Sequence, residues 1–130
     1  MSEVEVKLDG QDIPPYTFDL FQAQAMRTAK DIDLDDDNAV GMEIIHATLL
    51  LTSEAGELAD AVKKWFAYGQ KLDVVNVLEE CSDCLWAIAM LCSRLGVKME
   101  DVAVSNISKL ALRYPEKFTQ EAAIARADKQ

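Results

Sequence analysis

The sequence predicts an all-α protein whose simplest arrangement is a four-helix-bundle-like packing of four main helices. Three observations carry this. Apolar residues recur at intervals of three and four through most of the chain. No stretch alternates with the period of a strand, and no segment repeats at a solenoid period. The punctuation agrees: Thr17 and Asp73 stand where helix caps belong, Gly69 and Gly96 where helices end, and Pro115 where one must stop.

Residues 1–15 read as a polar arm closed by Pro14-Pro15, a pair that favours extended backbone. Thr17 then caps a first helix running to about Lys30, with Phe18, Phe21, Ala25 and Ala29 at helical spacing. Asp19 in its first turn suits the helix dipole, as do Arg27 and Lys30 near its end. The acidic run that follows, Asp31 to Asn38, alternates aspartates like a calcium loop. An EF-hand needs Gly at its sixth position and Glu at its twelfth, and here those hold Asp36 and Met42. A solvated loop leading into an N-cap is the reading that remains.

A second helix is expected over about 38–68, ended by Gly69. Gly41 and Gly56 lie inside it. Each weakens helix propensity by about 1 kcal/mol against Ala, so close packing or ligand approach is the expected reason for Gly56. Asp73 caps a third helix over about 74–95, apolar almost all round between Cys84 and Cys92, as a central core helix should be. A fourth spans about 100–113. The Ala-rich tail, 119–130, reads equally as a short helix or a frayed end.

With 130 residues, half of them hydrophobic, the chain suits one domain with one core. Its formal charge of −10, from 13 basic and 23 acidic residues, argues against a sequence-independent grip on nucleic acid. A small phosphorylated ligand stays open, because a metal inverts the local field. The first ten residues are mixed and charged, unlike a secretory leader. The longest apolar run, around 85–92, falls far short of the ~20 residues that span a bilayer. Three cysteines inside one apolar helix are an odd set and no disulfide framework, so a reducing cytoplasm is expected.

Chemistry concentrates in two acid-x-x-acid pairs, Glu54 with Glu57 and Glu80 with Asp83, each in an otherwise apolar helix. Residues three apart share a helix face, so two such helices packed antiparallel bring four carboxylates together. Bare carboxylates in an apolar setting repel one another and are costly to desolvate. A hard divalent cation with oxygen ligands is the natural compensation, and oxygen-only ligation points to magnesium or manganese. A di-iron bundle would need Glu-x-x-His on two helices; the lone histidine, His46, ends no such motif and reads as structural or surface. Asp60 and Glu79 are nearby acids expected to face solvent. Cys81-x-x-Cys84 lacks the further ligands of a zinc site and sits mid-helix, so it reads as small buried hydrophobes.

Downstream, Asn106, Lys109 and Arg113 are spaced by three and four and share one helix face, an amide and two cations suited to phosphate oxygens. Read alone, such a stripe is as readily a soluble surface.

Together these motifs resemble the MazG-like nucleoside triphosphate pyrophosphohydrolases of the all-α NTP pyrophosphatase superfamily. Members carry Glu-x-x-Glu, a spacer, then Glu-x-x-Asp, matched here by Glu54, Glu57, Glu80 and Asp83. A later Asn-x-x-Lys-x-x-x-Arg-Tyr-Pro stretch is matched by Asn106, Lys109, Arg113, Tyr114 and Pro115. The likeness covers 16–118, leaving 1–15 as an arm and 119–130 as a tail. It departs after Pro115, where relatives often have Gly and this chain has Glu116-Lys117-Phe118.

The resemblance implies Mg²⁺-dependent cleavage of a nucleoside triphosphate between its α and β phosphates, with the four acids as metal ligands and catalytic residues. It also implies a homodimer or dimer of dimers with sites near subunit interfaces. Asn106, Lys109, Arg113 and Tyr114 would then meet substrate. Trp65, with Phe66 and Trp86, is a candidate to stack on the base. The competing class is a non-catalytic helical nucleotide- or metal-binding regulatory module on the same scaffold.

Overall fold

The computed structural model describes residues 17–130, so the polar arm expected over 1–15 lies outside the described residues. Four main helices follow: α1 (Phe18–Met26), α2 (Asp37–Tyr68), α3 (Val74–Arg94) and α4 (Met99–Arg113). A short α5 (Gln120–Ala125) and a single 3₁₀ turn (Ala127–Lys129) complete the chain, with no strand among the described residues.

The local signals act as their chemistry requires. Thr17 Oγ1 accepts the Leu20 amide at 3.1 Å, and Asp73 Oδ1 accepts that of Asn76 at 3.1 Å. The acidic loop resolves into a turn and a cap: Asp33 Oδ1 accepts the Asp35 amide, and Asp36 Oδ1 those of Asn38 and Ala39. At the other end of α2, Gly69 takes φ +65, and the amide of Gln70 reaches back to the Lys64 carbonyl at 3.2 Å. Only a residue without a Cβ enters that region cheaply.

α2 and α3 are joined by five residues and form an antiparallel hairpin, the main packing unit of the molecule. Ala47 and Ala61 on α2 and Ala87 on α3 are buried, and such small side chains let the two backbones approach closely. α1 lies across α3, where Ala25, Ala89, Cys92 and Met99 form a core flanked by Phe21, Met26, Trp86 and Ile88.

α1 ends at Met26, one turn earlier than expected. The amides of Thr28 and Ala29 bond three residues back, tightening the last turn, and Thr28 Oγ1 donates to the Ala25 carbonyl at 2.7 Å. Trp86 of α3 locks this end, its ring N–H donating to Ala25 O at 3.2 Å and Thr28 Oγ1 at 2.9 Å. The close packing expected at Gly56 is not found: a Cβ there would meet nothing within 4 Å.

α4 starts without a side-chain cap of its own. Its first amide, Met99 N–H, is accepted instead by Gln22 Oε1 of α1 at 2.7 Å, while Gln22 Nε2 donates to Ser93 Oγ and the Val97 carbonyl. Gln22→Ala is therefore expected to cost about 1–2 kcal/mol, the size of a lost cap with its added hydrogen bonds. A urea midpoint equal to the parent's would show that water replaces all three bonds at no cost. Beyond its first turns α4 leaves the core, and every residue from 104 to 112 is exposed. The chain then bends at 115–117 with no residue at positive φ, so the absent glycine is not needed there.

Candidate metal centre

Glu54 projects from the middle of α2, and Glu80 and Asp83 from the first half of α3. One carboxylate oxygen of each lies within 4.8 Å of the others. Glu54 and Glu80 are half-buried and Asp83 is exposed, so the trio opens to solvent on one side. Glu57 stands outside it, exposed on α2. Three residues along a helix turn about 300°, which leaves the second acid of a pair some 60° off the first. On α3 both acids of the pair join the trio; on α2 Glu57 stays outside the 4.8 Å cluster, yet its charge still reaches Glu80.

No base neutralises these acids within the trio. Burial pushes the Glu80 carboxyl above its ordinary value, and the charges of Glu54, Glu57, Asp83 and Glu79 push it further. Repulsion without a counter-charge, among oxygen donors only, is a donor set that fits a hard divalent cation. Asp60 does not join. Lys63 and Lys64 hold it at 2.5 and 2.7 Å, and those hydrogen bonds lower its pKa to about 2. Nor do the cysteines: Cys92 is buried as expected, whereas Cys81 is exposed, a departure from the buried pair the sequence suggested. Burial raises the Cys84 thiol, with Cys81 and Glu54 adding to the effect, so it stays protonated and ill suited to bind a metal. His46 is exposed on α2.

The other expected residues are dispersed. Asn106 and Lys109 lie on the exposed half of α4, which packs chiefly against α1, α3 and the C-terminal turns, not α2. Arg113 is not free. Its Nε and Nη2 donate to the two carboxylate oxygens of Asp128 at 2.6 and 2.7 Å. Tyr114 packs its ring on Phe118, centroids 5.4 Å apart, with the Arg113 guanidinium 6.0 Å away. Trp65 and Phe66 are exposed near the end of α2, whereas Trp86 is committed to α1 and unavailable for stacking.

A polar cavity of about 300 Å³ lies at the closed end of the hairpin, lined by Ala61, Lys64, Gln70, Lys71, Asp73 and Asn76. Sequence reasoning missed it. The available signal was spacing: Ala61 follows Glu57 by four and Asn76 precedes Glu80 by four, placing each one helical turn from an acid.

No curated protein and no solved structure matches the chain. The MazG nucleotide pyrophosphohydrolase domain matches residues 44–118, which contain all four acids, the cavity and the α4 stripe. With more than half of its length matched, the chain belongs to the MazG nucleotide pyrophosphohydrolase domain family.

Proposed function

We propose that this protein hydrolyses nucleoside or deoxynucleoside triphosphates to the monophosphate and pyrophosphate in a Mg²⁺-dependent reaction, Mn²⁺ serving as an alternative, as nucleotide-pool housekeeping. The observation that carries this reading is the uncompensated Glu54–Glu80–Asp83 trio inside the family's own stretch. A cation bound there supplies charge neutralisation to the phosphates and acidifies water.

Glu54, Glu80 and Asp83 would hold the cation. Glu57, close enough to act on the Glu80 charge but outside the trio, orients the attacking water and accepts its proton. Attack at the α-phosphorus breaks its bond to the bridging oxygen, which leaves with pyrophosphate. Lys109 and Arg113 neutralise the phosphate tail, Asn106 hydrogen-bonds it or the sugar, Tyr114 borders it, and Trp65 stacks on the base. The cavity at Lys64 and Lys71 admits the part of the nucleotide that extends past the acids.

One protomer leaves much apolar surface uncovered: Met42, Ile45 and Leu49 on α2, and Val104, Ile107 and Leu112 on α4. A homodimer, or a dimer of dimers, covers these faces. It also carries Asn106 and Lys109 of one protomer toward the acids of another. No helix among the described residues is long and apolar enough to cross a membrane, and a charge of −10 disfavours nucleic acid as a partner.

The test is incubation with the eight common NTPs and dNTPs plus Mg²⁺, followed by separation of products. Monophosphate and pyrophosphate in equal amounts support the reading. Binding without turnover of any of the eight replaces it with the regulatory module. On the preferred nucleotide, Lys109→Ala is expected to raise KM roughly tenfold with kcat little changed, as for a cation that binds ground and transition states alike. An unchanged kcat/KM would remove Lys109 from the phosphate site.

A further inference from the structure

Arg113 closes α4, and Asp128 sits in the final 3₁₀ turn, 15 residues later. Between them the chain bends after Pro115, forms α5 under a Thr119 cap, and reverses at Arg126, whose φ of 49 is the one positive value on a non-glycine among the described residues. Such a backbone is strained for a residue with a Cβ and persists where surrounding structure over-determines it. The reversal delivers the Asp128 carboxylate to the guanidinium in the parallel two-bond arrangement at 2.6 and 2.7 Å. The Asp128 side chain is 1% exposed and that of Arg113 20%. The hydrogen bond from Arg113 lowers the Asp128 carboxyl, and the same bond raises Arg113, so both groups stay charged.

An arginine has five N–H donors. Asp128 takes one on Nε and one on Nη2, which leaves three, two on Nη1 and one on Nη2, beside the Tyr114 hydroxyl on a side chain that retains solvent contact. We infer that Asp128 is a positioning residue for Arg113, fixing the guanidinium so that its remaining edge meets the triphosphate without first losing rotamer freedom. The inference rests on the phosphate role given to Arg113 above. It makes the C-terminal segment part of the substrate site. A flexible arginine must surrender its side-chain entropy when the anion arrives; one already clasped by a buried carboxylate has surrendered it on folding.

The test uses the full chain, with inorganic tripolyphosphate and MgCl₂ in a titration calorimeter as the binding probe, beside steady-state kinetics on the nucleotide preferred in the panel. Asp128→Asn is expected to weaken tripolyphosphate about tenfold and to raise KM by the same factor, with kcat within about twofold of the parent. Asp128→Glu, which keeps the charge, should recover part of the loss. In an Arg113→Ala background, Asp128→Asn should change neither value further, because the path through the guanidinium is gone.

The inference is overturned by a parental Kd and KM in Asp128→Asn, or by an effect of equal size in the Arg113→Ala background, which would mark a general structural role. A tighter Kd in Asp128→Asn also overturns it and makes the tail a competitor of the phosphate. If Arg113→Ala itself binds tripolyphosphate as the parent does, the phosphate role fails and the inference fails with it. Weak binding in Arg113→Ala beside parental binding in Asp128→Asn retires the inference alone and leaves the proposed function standing.

Discussion

Glu80→Gln is expected to lower kcat/KM by on the order of 10³ while raising the melting temperature of the protein in chelator. The two effects share one cause. A divalent cation supplies several kcal/mol of charge stabilisation to phosphoryl chemistry, and a thousandfold in rate is the corresponding scale. The same carboxylates that would hold it repel one another when it is removed. Burial first, and the charges of Glu54, Glu57 and Asp83 next, raise the Glu80 carboxyl in the folded state above its unfolded value of about 4.5.

A raised carboxyl means that the folded state binds more protons than the unfolded state between those two values. The contribution of Glu80 to metal-free stability is therefore fullest below the unfolded pKa and falls as pH rises toward and through the folded one. Glutamine removes that fall. Thermal melts in chelator from about pH 4 to pH 7 check it, and Mg²⁺ should raise the melting temperature of the parent but not of the variant. A variant that melts no higher than the parent at pH 7 in chelator, or that releases pyrophosphate at the parental rate, would separate the trio from metal binding.

The largest stability effect is expected at Arg94. This side chain, 10% exposed, reaches Glu43, 12% exposed, at 3.9 Å across the α2–α3 hairpin, and its Nη2 donates to the Lys30 carbonyl at 3.0 Å. The spacing is too long for a hydrogen bond, and Glu43 Oε2 and Arg94 Nε have no hydrogen-bond partner in the protein. Such a pair contributes little net stability, yet breaking it strands a buried charge. Arg94→Ala should thus cost about 3–5 kcal/mol, a fall of roughly 10–20 °C in Tm.

The double variant Glu43→Leu with Arg94→Met should recover most of this, because an apolar pair of similar volume faces no desolvation penalty. Calorimetric melts of the single and double variants decide it. A double variant as unstable as Arg94→Ala would mean that the lost bond to Lys30, not the stranded carboxylate, dominates.

What could be read from sequence was what neighbours in sequence decide. The caps at Thr17 and Asp73 and the stops at Gly69 and Gly96 need only a few consecutive residues, and each forms as expected. The acid pairs announced themselves through helical spacing, and three of their four members meet. The exceptions were set at long range. α1 ends early because Trp86, 61 residues from Ala25, secures its last turn, and α4 opens on a glutamine 77 residues away. Glu57 lies outside the trio although its charge reaches Glu80, a distinction that spacing along α2 does not carry. In the tail the Thr119 cap of α5 is local, whereas the bond that ties Asp128 back to Arg113 joins residues 15 apart, which no local propensity encodes.

The alanine seam between α2 and α3 sets how far a disturbance travels. A helix is stiff, and at about 1.5 Å per residue Ala47 lies some 10 Å along α2 from Glu54, and Ala87 about 6 Å along α3 from Asp83. A side chain enlarged at either position wedges the helices apart, and the helices act as lever arms that carry the gap to the carboxylates. Oxygens that must agree to within a few tenths of an ångström lose their register well before the hairpin comes undone. Bulk at these alanines should therefore silence the protein in variants that still fold, and the first casualty of crowding would be reactivity, with solubility and helicity intact.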